Sequence, residues 1–263
     1  MKLLSLNAAY FINNNDKVID FIKTQDADIV CLQEVSRHID ESVKYEYKLK
    51  SQLDNVISDN YQYKFYSPCV VSNNFQKVDE FYVDFGGFTE FGTYILSKNK
   101  IKYGEAVIQN GSVEYVADWS NWPNPDFARP IQTVKLDIDG QEIIVINLHG
   151  LWSKSKQGSL MTNEQSKGIL RLIEKYNLPT IVCGDFNLFP NTESIRLLDA
   201  KLKNLCNEYK INTTRPSDNL HSSKDRNVVD YIFTSKEIKV NHFEVVDSNI
   251  SDHLPLLLNL DIS

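Results

Sequence analysis

The sequence predicts an α+β fold: two mixed, mostly antiparallel sheets packed face to face, with helices on the outside. Strand-like runs outnumber helix-like ones along the 263 residues. Several neighbouring runs are joined too tightly for a crossover connection and must pair antiparallel, which argues against a purely parallel doubly wound sheet. Others are separated by amphipathic helices, as in βαβ units.

Taken in order, Lys2–Asn7 alternates as a strand and ends on Asn7. Asp16 is placed to cap a short helix carrying Val18, Ile19, Phe21 and Ile22. Asp28 to Val35 is the apolar run of a buried strand that breaks into a carboxylate, Glu34. Residues 41–58 hold Tyr45, Leu49, Leu53, Val56 and Ile57 at helical spacing, which predicts one amphipathic helix. Tyr61 to Tyr66 reads as a strand, followed over 68–91 by a stretch rich in Phe and Asn. Gly92 to Ser97 is a strand, and Ile101 to Gln109 is expected to pair with it through a turn at Lys98-Asn99-Lys100. Residues 111–128 form a second irregular stretch, with Tyr115, Trp119, Trp122 and Phe127. Ile131 to Ile138 and Gln141 to Leu148 flank Asp139-Gly140, and an Asp-Gly pair between alternating runs is a strong hairpin signal.

Thr162-Asn163-Glu164-Gln165 reads as a capping box ahead of Ile169, Leu170, Ile173 and Tyr176. Pro179 to Cys183 is a continuous apolar run closed by Gly184-Asp185-Phe186-Asn187, which predicts a strand buried on both faces. Asn191 opens a short helix, and Val228 to Phe233, Ile238 to Val246 and Leu254 to Ile262 are the last strands. No linker, low-complexity tract or fixed-period repeat interrupts the chain, so one domain over 1–263 is expected.

Composition narrows the classes. Hydrophobic content of 42% and charged content of 24% are those of a globular protein. A net charge of -7 argues against a protein that coats nucleic acid non-specifically. It leaves room for a nucleic-acid enzyme, whose metal-binding carboxylates are themselves negative. Cys31 and Cys183 sit in strand-like runs and read as reduced core residues. The N-terminus turns polar too soon for a signal peptide, and no apolar run approaches a membrane span. A cytoplasmic monomer with no integral membrane segment is the expectation.

The chemistry collects at strand ends. Asp185 and Asn187, two apart, project to the same side while Phe186 points away. They pair a proton acceptor with a neutral hydrogen-bond donor, although the same pair suits an Asx-turn closing the strand. Asn7, Glu34, His149, Asp230, Asp252 and His253 lie at comparable positions. If the strands form one sandwich, these ends converge on one rim. Carboxylates gathered there repel one another unless a cation sits among them, and an oxygen-rich set suits Mg2+, or Mn2+ in its place, better than zinc. Such a set fits metal-assisted hydrolysis of a phosphate ester.

Six segments carry a family resemblance in chain order: Leu4-Ser5-Leu6-Asn7, Cys31-Leu32-Gln33-Glu34-Val35, Ile146-Asn147-Leu148-His149, Gly184-Asp185-Phe186-Asn187, Val229-Asp230-Tyr231-Ile232-Phe233 and Ser251-Asp252-His253-Leu254-Pro255. Together they resemble the endonuclease/exonuclease/phosphatase (DNase I-like) superfamily, which includes nucleases, sphingomyelinases, inositol phosphatases and tyrosyl-DNA phosphodiesterases. The resemblance implies a four-layer αββα sandwich and a metal-dependent phosphoric ester hydrolase. By the same resemblance Glu34 is the principal Mg2+ ligand, with Asn7 and Asp252 close to the metal. Asp185 orients or deprotonates the attacking water, Asn187 holds a phosphate oxygen, Asp230 pairs with His253, and His149 serves the scissile phosphate or the leaving group.

Two departures stand out. Ala9 occupies a place that is acidic in some members, and no carboxylate partner for His149 is identifiable. Arg129 is a candidate phosphate contact, and Trp152 a candidate wall of the cleft. The expected substrate is a phosphodiester, with nucleic acid one possibility. The alternatives are a phosphomonoester, a lipid phosphodiester of the sphingomyelinase type, or a non-catalytic binding module on the same scaffold. A dead module should have lost one of Glu34, Asp185, Asn187 or His253, and all four are present.

Overall fold

The computed structural model describes residues 1–9, 14–72, 75–78, 81–109, 111, 113, 115–116, 128–217 and 227–262. The first sheet gathers both ends of the chain. β1 (Lys2–Asn7) lies between β15 (Leu256–Ile262), antiparallel to it, and β2 (Ile29–His38), parallel to it. β14 (Ile238–Val245) closes one side of this sheet, and β6 (Thr89–Ser97), β3 (Tyr63–Ser72) and β8 (Tyr115–Val116) extend the other. The second sheet runs in the order β12 (Lys203–Asn204), β13 (Asp230–Thr234), β11 (Thr180–Asp185), β10 (Gln141–His149), β9 (Ile131–Ile138) and β7 (Lys100–Val107). β4 (Phe75–Val78) and β5 (Phe81–Asp84) form a separate ribbon.

Side-chain alternation builds the layers. In β1 and β2, Leu3, Ile29 and Cys31 face the second sheet. Leu4, Leu6, Val30 and Leu32 face the other way, onto α1 (Asn15–Gln25) and α2 (Leu49–Val56), which contribute Val18, Ile19, Ile22, Leu49 and Leu53. The outer face of the second sheet is covered by α3 (Leu160–Tyr176) and α4 (Glu193–Asp199) through Ile169, Leu172, Ile195 and Leu198. The order helix, sheet, sheet, helix is the four-layer sandwich expected. Each fully buried Leu or Ile in it is worth about 1.5–3 kcal/mol. A short helix, α5 (Leu205–Glu208), links β12 towards β13. All four cysteines are buried free thiols.

Several elements differ from the sequence reading. β7 does not pair with β6. β6 is flanked on both sides, by β2 and β3, so it has no free edge, and the chain crosses at 98–100 to the second sheet, where β7 pairs with β9. The helix expected over 41–58 is broken: Tyr45–Tyr47 is one 3-10 turn and α2 begins at Leu49. Asn15 Nδ2 donates to the Glu46 carbonyl at 2.9 Å and Gln52 Nε2 to the Tyr45 carbonyl at 2.6 Å, taking acceptors that a continuous helix would use. Asn14, not Asp16, is the N-cap residue of α1, and Asp16 sits in its first turn. The capping box of α3 lies one turn earlier than expected, Ser159 with Thr162.

Candidate active site

Strand register brings the polar residues to one rim. β1 and β2 are parallel, with Asn7 beside Gln33. β10 and β11 are also parallel, with His149 beside Asp185, and Asp230 lies across from Asp185 on β13. His149, Asp185 and Asp230 therefore stand side by side at the end of the second sheet. Gly184 makes this closeness possible: at its φ of 131° a Cβ would lie 2.0 Å from the Leu148 carbonyl oxygen.

Glu34 reaches the rim by a bulge. The register between β2 and β6 shifts between Leu32 and Val35, and Glu34 takes a φ of 56°, a conformation that re-aims its side chain. The bulge is pinned from below by a buried polar chain. Gln33 Nε2 donates to Asn147 Oδ1 at 2.7 Å, and Asn147 Nδ2 donates to the Leu32 carbonyl at 3.0 Å and to Gln132 Oε1 at 2.9 Å. These bonds tie the two sheets together directly under the site.

Above them, Asn7 Nδ2 donates to Glu34 Oε1 and to Asp185 Oδ2, each at 3.1 Å, while its Oδ1 accepts from the Ala9 amide at 3.0 Å. Asp185 Oδ1 accepts from the Asn187 amide at 2.8 Å. Asn187 has a φ of 57°, its Nδ2 donates to the Gly150 carbonyl at 3.3 Å, and its Oδ1 accepts from Lys156. His253 Nδ1 lies 2.8 Å from Asp230 Oδ1, and its Nε2 lies 3.6 Å from Asp185 Oδ2. Ser251 Oγ donates to the Asn7 carbonyl at 2.7 Å, which fastens the loop carrying Asp252 and His253 to the end of β1.

His149 Nε2 points into the cluster, 3.6 Å from Glu34 Oε1 and 3.8 Å from Asp185 Oδ2. All eight residues expected at the rim are thus brought together. Arg129 is there too, with Nη1 2.9 Å from His149 Nδ1. Glu90, on β6, is taken by Arg37 at 2.8 Å. Trp152 is half-buried in the loop after β10, with Lys156 Nζ 4.9 Å from its ring centroid.

Sequence reading missed two residues here. Arg215 Nη1 donates to Asp252 Oδ2 at 2.8 Å and to the Asp252 carbonyl at 3.0 Å. Thr214 Oγ1 donates to Asp230 Oδ2 at 2.6 Å and accepts from the Val229 and Asp230 amides at 3.1 and 3.2 Å. Both sit in Asn212-Thr213-Thr214-Arg215-Pro216, a turn-like stretch with no periodicity; a Thr-Thr pair before a cation was its only signal. Trp119, Trp122, Phe127 and His221 lie outside the described residues, as do the side chains of Phe75, Phe81 and Tyr82. Phe85 packs edge-on against Tyr47, with ring centroids 4.8 Å apart, so it holds its loop to the sandwich.

Charge divides the groups into roles. Burial pushes the Asp185 carboxyl up, but the positive charge of His253, with that of Lys156 and Arg215, outweighs it and holds Asp185 below the usual carboxylate range. Burial and Arg215 press the His253 imidazole down; Asp230, Asp185 and Asp252 overcome both and raise it. His149 goes the other way: burial first, then Arg129, hold it well below the usual imidazole range. Burial lowers Lys156 to about 8.

Two places could hold a metal. Ligand atoms of Asp185, Asp230 and His253 all lie within 4.8 Å of one another. Their hydrogen bonds already join them into a chain, Asp230 to His253 to Asp185. Glu34 differs: burial, then Asp252, lift it to about 7, and its Oε2 is buried with no hydrogen-bond partner. A buried carboxylate oxygen left without a proton donor costs free energy unless something positive meets it. The residues present therefore fit a divalent cation at Glu34.

The profile of the Endonuclease/Exonuclease/phosphatase family matches residues 4–253. The chain belongs to that family, whose name covers nucleases and phosphatases, both phosphoester hydrolases. No curated protein sequence matches it. Among solved structures it is similar to an endonuclease/exonuclease/phosphatase from Beutenbergia cavernae DSM 12333, at 17% identity and a TM-score of 0.73, covering 100% of this chain and 71% of that one. A mannosyl-6-phosphatase from Bacteroides thetaiotaomicron VPI-5482 is similar at 15% identity and a TM-score of 0.67, over 100% of both chains. The human Nocturnin catalytic domain is similar at 16% identity and a TM-score of 0.65, covering 100% of this chain and 94% of that one. These likenesses are of fold. Among the described residues no helix is long and apolar enough to cross a membrane.

Proposed function

We propose that this chain is a Mg2+-dependent hydrolase that cleaves a phosphodiester with water as the nucleophile. The observation that carries the reading is the meeting of the partnerless Glu34 Oε2 with the Asp230–His253–Asp185 chain at one rim. Glu34 would hold the ion, with Asp252 close by; Asn7 would join with its amide turned over, since its nitrogen now faces the carboxylates. The all-oxygen donor set suits Mg2+, with Mn2+ as a substitute. When bound, the ion neutralises charge on a phosphoryl oxygen.

The chain's own residues do the rest. Asp185, kept ionised and gripped by the Asn187 and Asn7 N–H groups, orients the attacking water and accepts its proton as that proton becomes acidic. His253, held protonated by Asp230, donates from Nε2 to a phosphoryl oxygen. Asn187, fixed by Lys156 and Gly150, supplies a neutral donor beside it.

A second reading, phosphomonoester hydrolysis, is favoured by the cations at the rim. Lys156 and Arg215 add positive charge that a dianionic phosphate would use more fully than a monoanionic diester. The mannosyl-6-phosphatase among similar structures points the same way.

One panel decides. Purified protein is assayed with Mg2+, Mn2+ or EDTA against bis-aryl and mono-aryl phosphates, oligonucleotides, sphingomyelin, and sugar and inositol phosphates, with Glu34→Ala as control. Metal-dependent turnover of a diester, lost in the control, supports the first reading. Preference for monoesters supports the second. A folded protein with no turnover and no Mg2+ binding would overturn both.

A further inference from the structure

Where a carboxylate partner for His149 was sought, the structure holds a guanidinium. Arg129 Nη1 lies 2.9 Å from His149 Nδ1. A guanidinium carries only N–H donors and no acceptor. At that distance Nδ1 must be the bare, accepting nitrogen, so the ring's one proton sits on Nε2. Nε2 is the atom turned into the site, towards Glu34 Oε1 and Asp185 Oδ2. His253 is arranged in the opposite sense, with Nδ1 facing the Asp230 carboxylate at 2.8 Å. A carboxylate can only accept there, so Nδ1 of His253 carries a proton.

We propose that Arg129 is a positioning residue that locks His149 in its Nε2–H tautomer, making His149 a neutral hydrogen-bond donor to the phosphoryl group rather than a proton-delivering acid. The catalytic part of this rests on the phosphoester chemistry above; the tautomer does not.

The surroundings are built for that task. Arg129 is only 9% exposed. The register of the β9–β10 hairpin, with Ile131 beside Leu148, sets Arg129 just beyond one strand and His149 at the end of the other. Gln165, from the first turns of α3, clamps both segments: its Nε2 donates to the Arg129 carbonyl at 3.1 Å, and its Oε1 accepts from the Leu151 amide at 3.4 Å. An arginine serving only to attract substrate would not need its own backbone fastened to the loop that follows the histidine. With both ends held, the side-chain contact sets the ring's proton position and its orientation together.

The test is spectroscopic. The whole chain is labelled with 15N, and the His149 ring is read by two-bond proton–nitrogen correlation, assigned by its disappearance in His149→Gln. In the wild type Nδ1 reads as unprotonated and Nε2 as protonated. Arg129→Lys, still a pure donor, keeps that pattern; Arg129→Met gives a mixture of tautomers; Arg129→Glu inverts it. In turnover, Arg129→Met lowers kcat by roughly ten- to hundredfold while KM stays within about twofold. An arginine that gripped phosphate itself would instead raise KM.

A protonated Nδ1 in the wild type would overturn the proposal, and so would an unchanged ring in Arg129→Met or Arg129→Glu. Should those variants fail to fold, the wild-type spectrum alone decides. Because the spectrum is read without substrate, absence of turnover on the panel above would discard the hydrolase reading and leave the tautomer standing or falling by itself.

Discussion

Replacing Thr214 with valine isolates one hydroxyl that supports the histidine dyad. The swap keeps the branched shape and removes only Oγ1, which sits in a fully buried side chain. That atom donates to Asp230 Oδ2 at 2.6 Å and accepts from the Val229 and Asp230 amides at 3.1 and 3.2 Å. Its loss strands two buried amides and takes one donor from a buried carboxylate. A buried polar group deprived of its partner costs about 1–3 kcal/mol, so even the low end for each of the three groups gives a destabilisation of about 3 kcal/mol. For a chain of this length that lowers Tm by roughly 6–12 °C. Urea unfolding and calorimetry of the metal-free protein measure it. Because Glu34 is untouched, the gain in Tm on adding Mg2+ should match that of the wild type. A loss under about 1 kcal/mol would mean that Thr214 is not the prop of Asp230, and the account of how the dyad is held would be wrong.

Further outcomes follow from the same geometry. Glu34 ionises at about 7 in the metal-free fold, against about 4.3 when unfolded. The fold therefore keeps a proton that the unfolded chain releases. The stability this contributes, about 4 kcal/mol, is full below pH 4.3 and drains away as pH rises to 7. Melting curves in EDTA should show that decline, Glu34→Gln should flatten it, and Mg2+ should raise Tm more at pH 8 than at pH 5. Lys156 loses its charge as pH rises through about 8, so KM for a phosphoester should climb above that pH, and Lys156→Arg should hold KM low to higher pH. Asp185→Asn should cut kcat by at least about a hundredfold, read by steady-state turnover, because an amide cannot take the water's proton.

Much of the site was legible because strand ends announce themselves. The run from Pro179 to Gly184 is short, rich in β-branched residues and bounded by Pro and Gly, which marks a buried strand, and such a strand delivers Asp185 and Asn187 to a rim. Asp139-Gly140, with φ values of 51° and 89°, marks a tight hairpin that any reader of turn chemistry finds. Partner choice was less legible. Alternation fixes which face a strand buries but not which neighbour it takes, so the pairing of β7 with β9 rather than β6 became visible only once both edges of β6 were seen to be filled. Spacing likewise could not separate one helix over 41–58 from a turn followed by α2, because the deciding bonds come from the distant Asn15 and from the Gln52 side chain. Arg215 and Thr214 were invisible for a related reason: their importance lies in contacts with Asp252 and Asp230, and nothing local in a turn-like stretch encodes those. Arg129 was noticed as a cation near the site, but its partner, the Nδ1 of His149, reverses the tautomer a carboxylate would have imposed.

The central claim is that Glu34 holds a divalent ion beside the water-orienting Asp185. Calorimetric titration of Mg2+ into wild-type, Glu34→Gln and Asp185→Asn proteins, with bis-aryl phosphate turnover read on the same samples, tests it most directly. Binding and turnover in the wild type, neither in Glu34→Gln, and binding without turnover in Asp185→Asn is the result the account predicts. Undiminished Mg2+ binding and turnover in Glu34→Gln would contradict it.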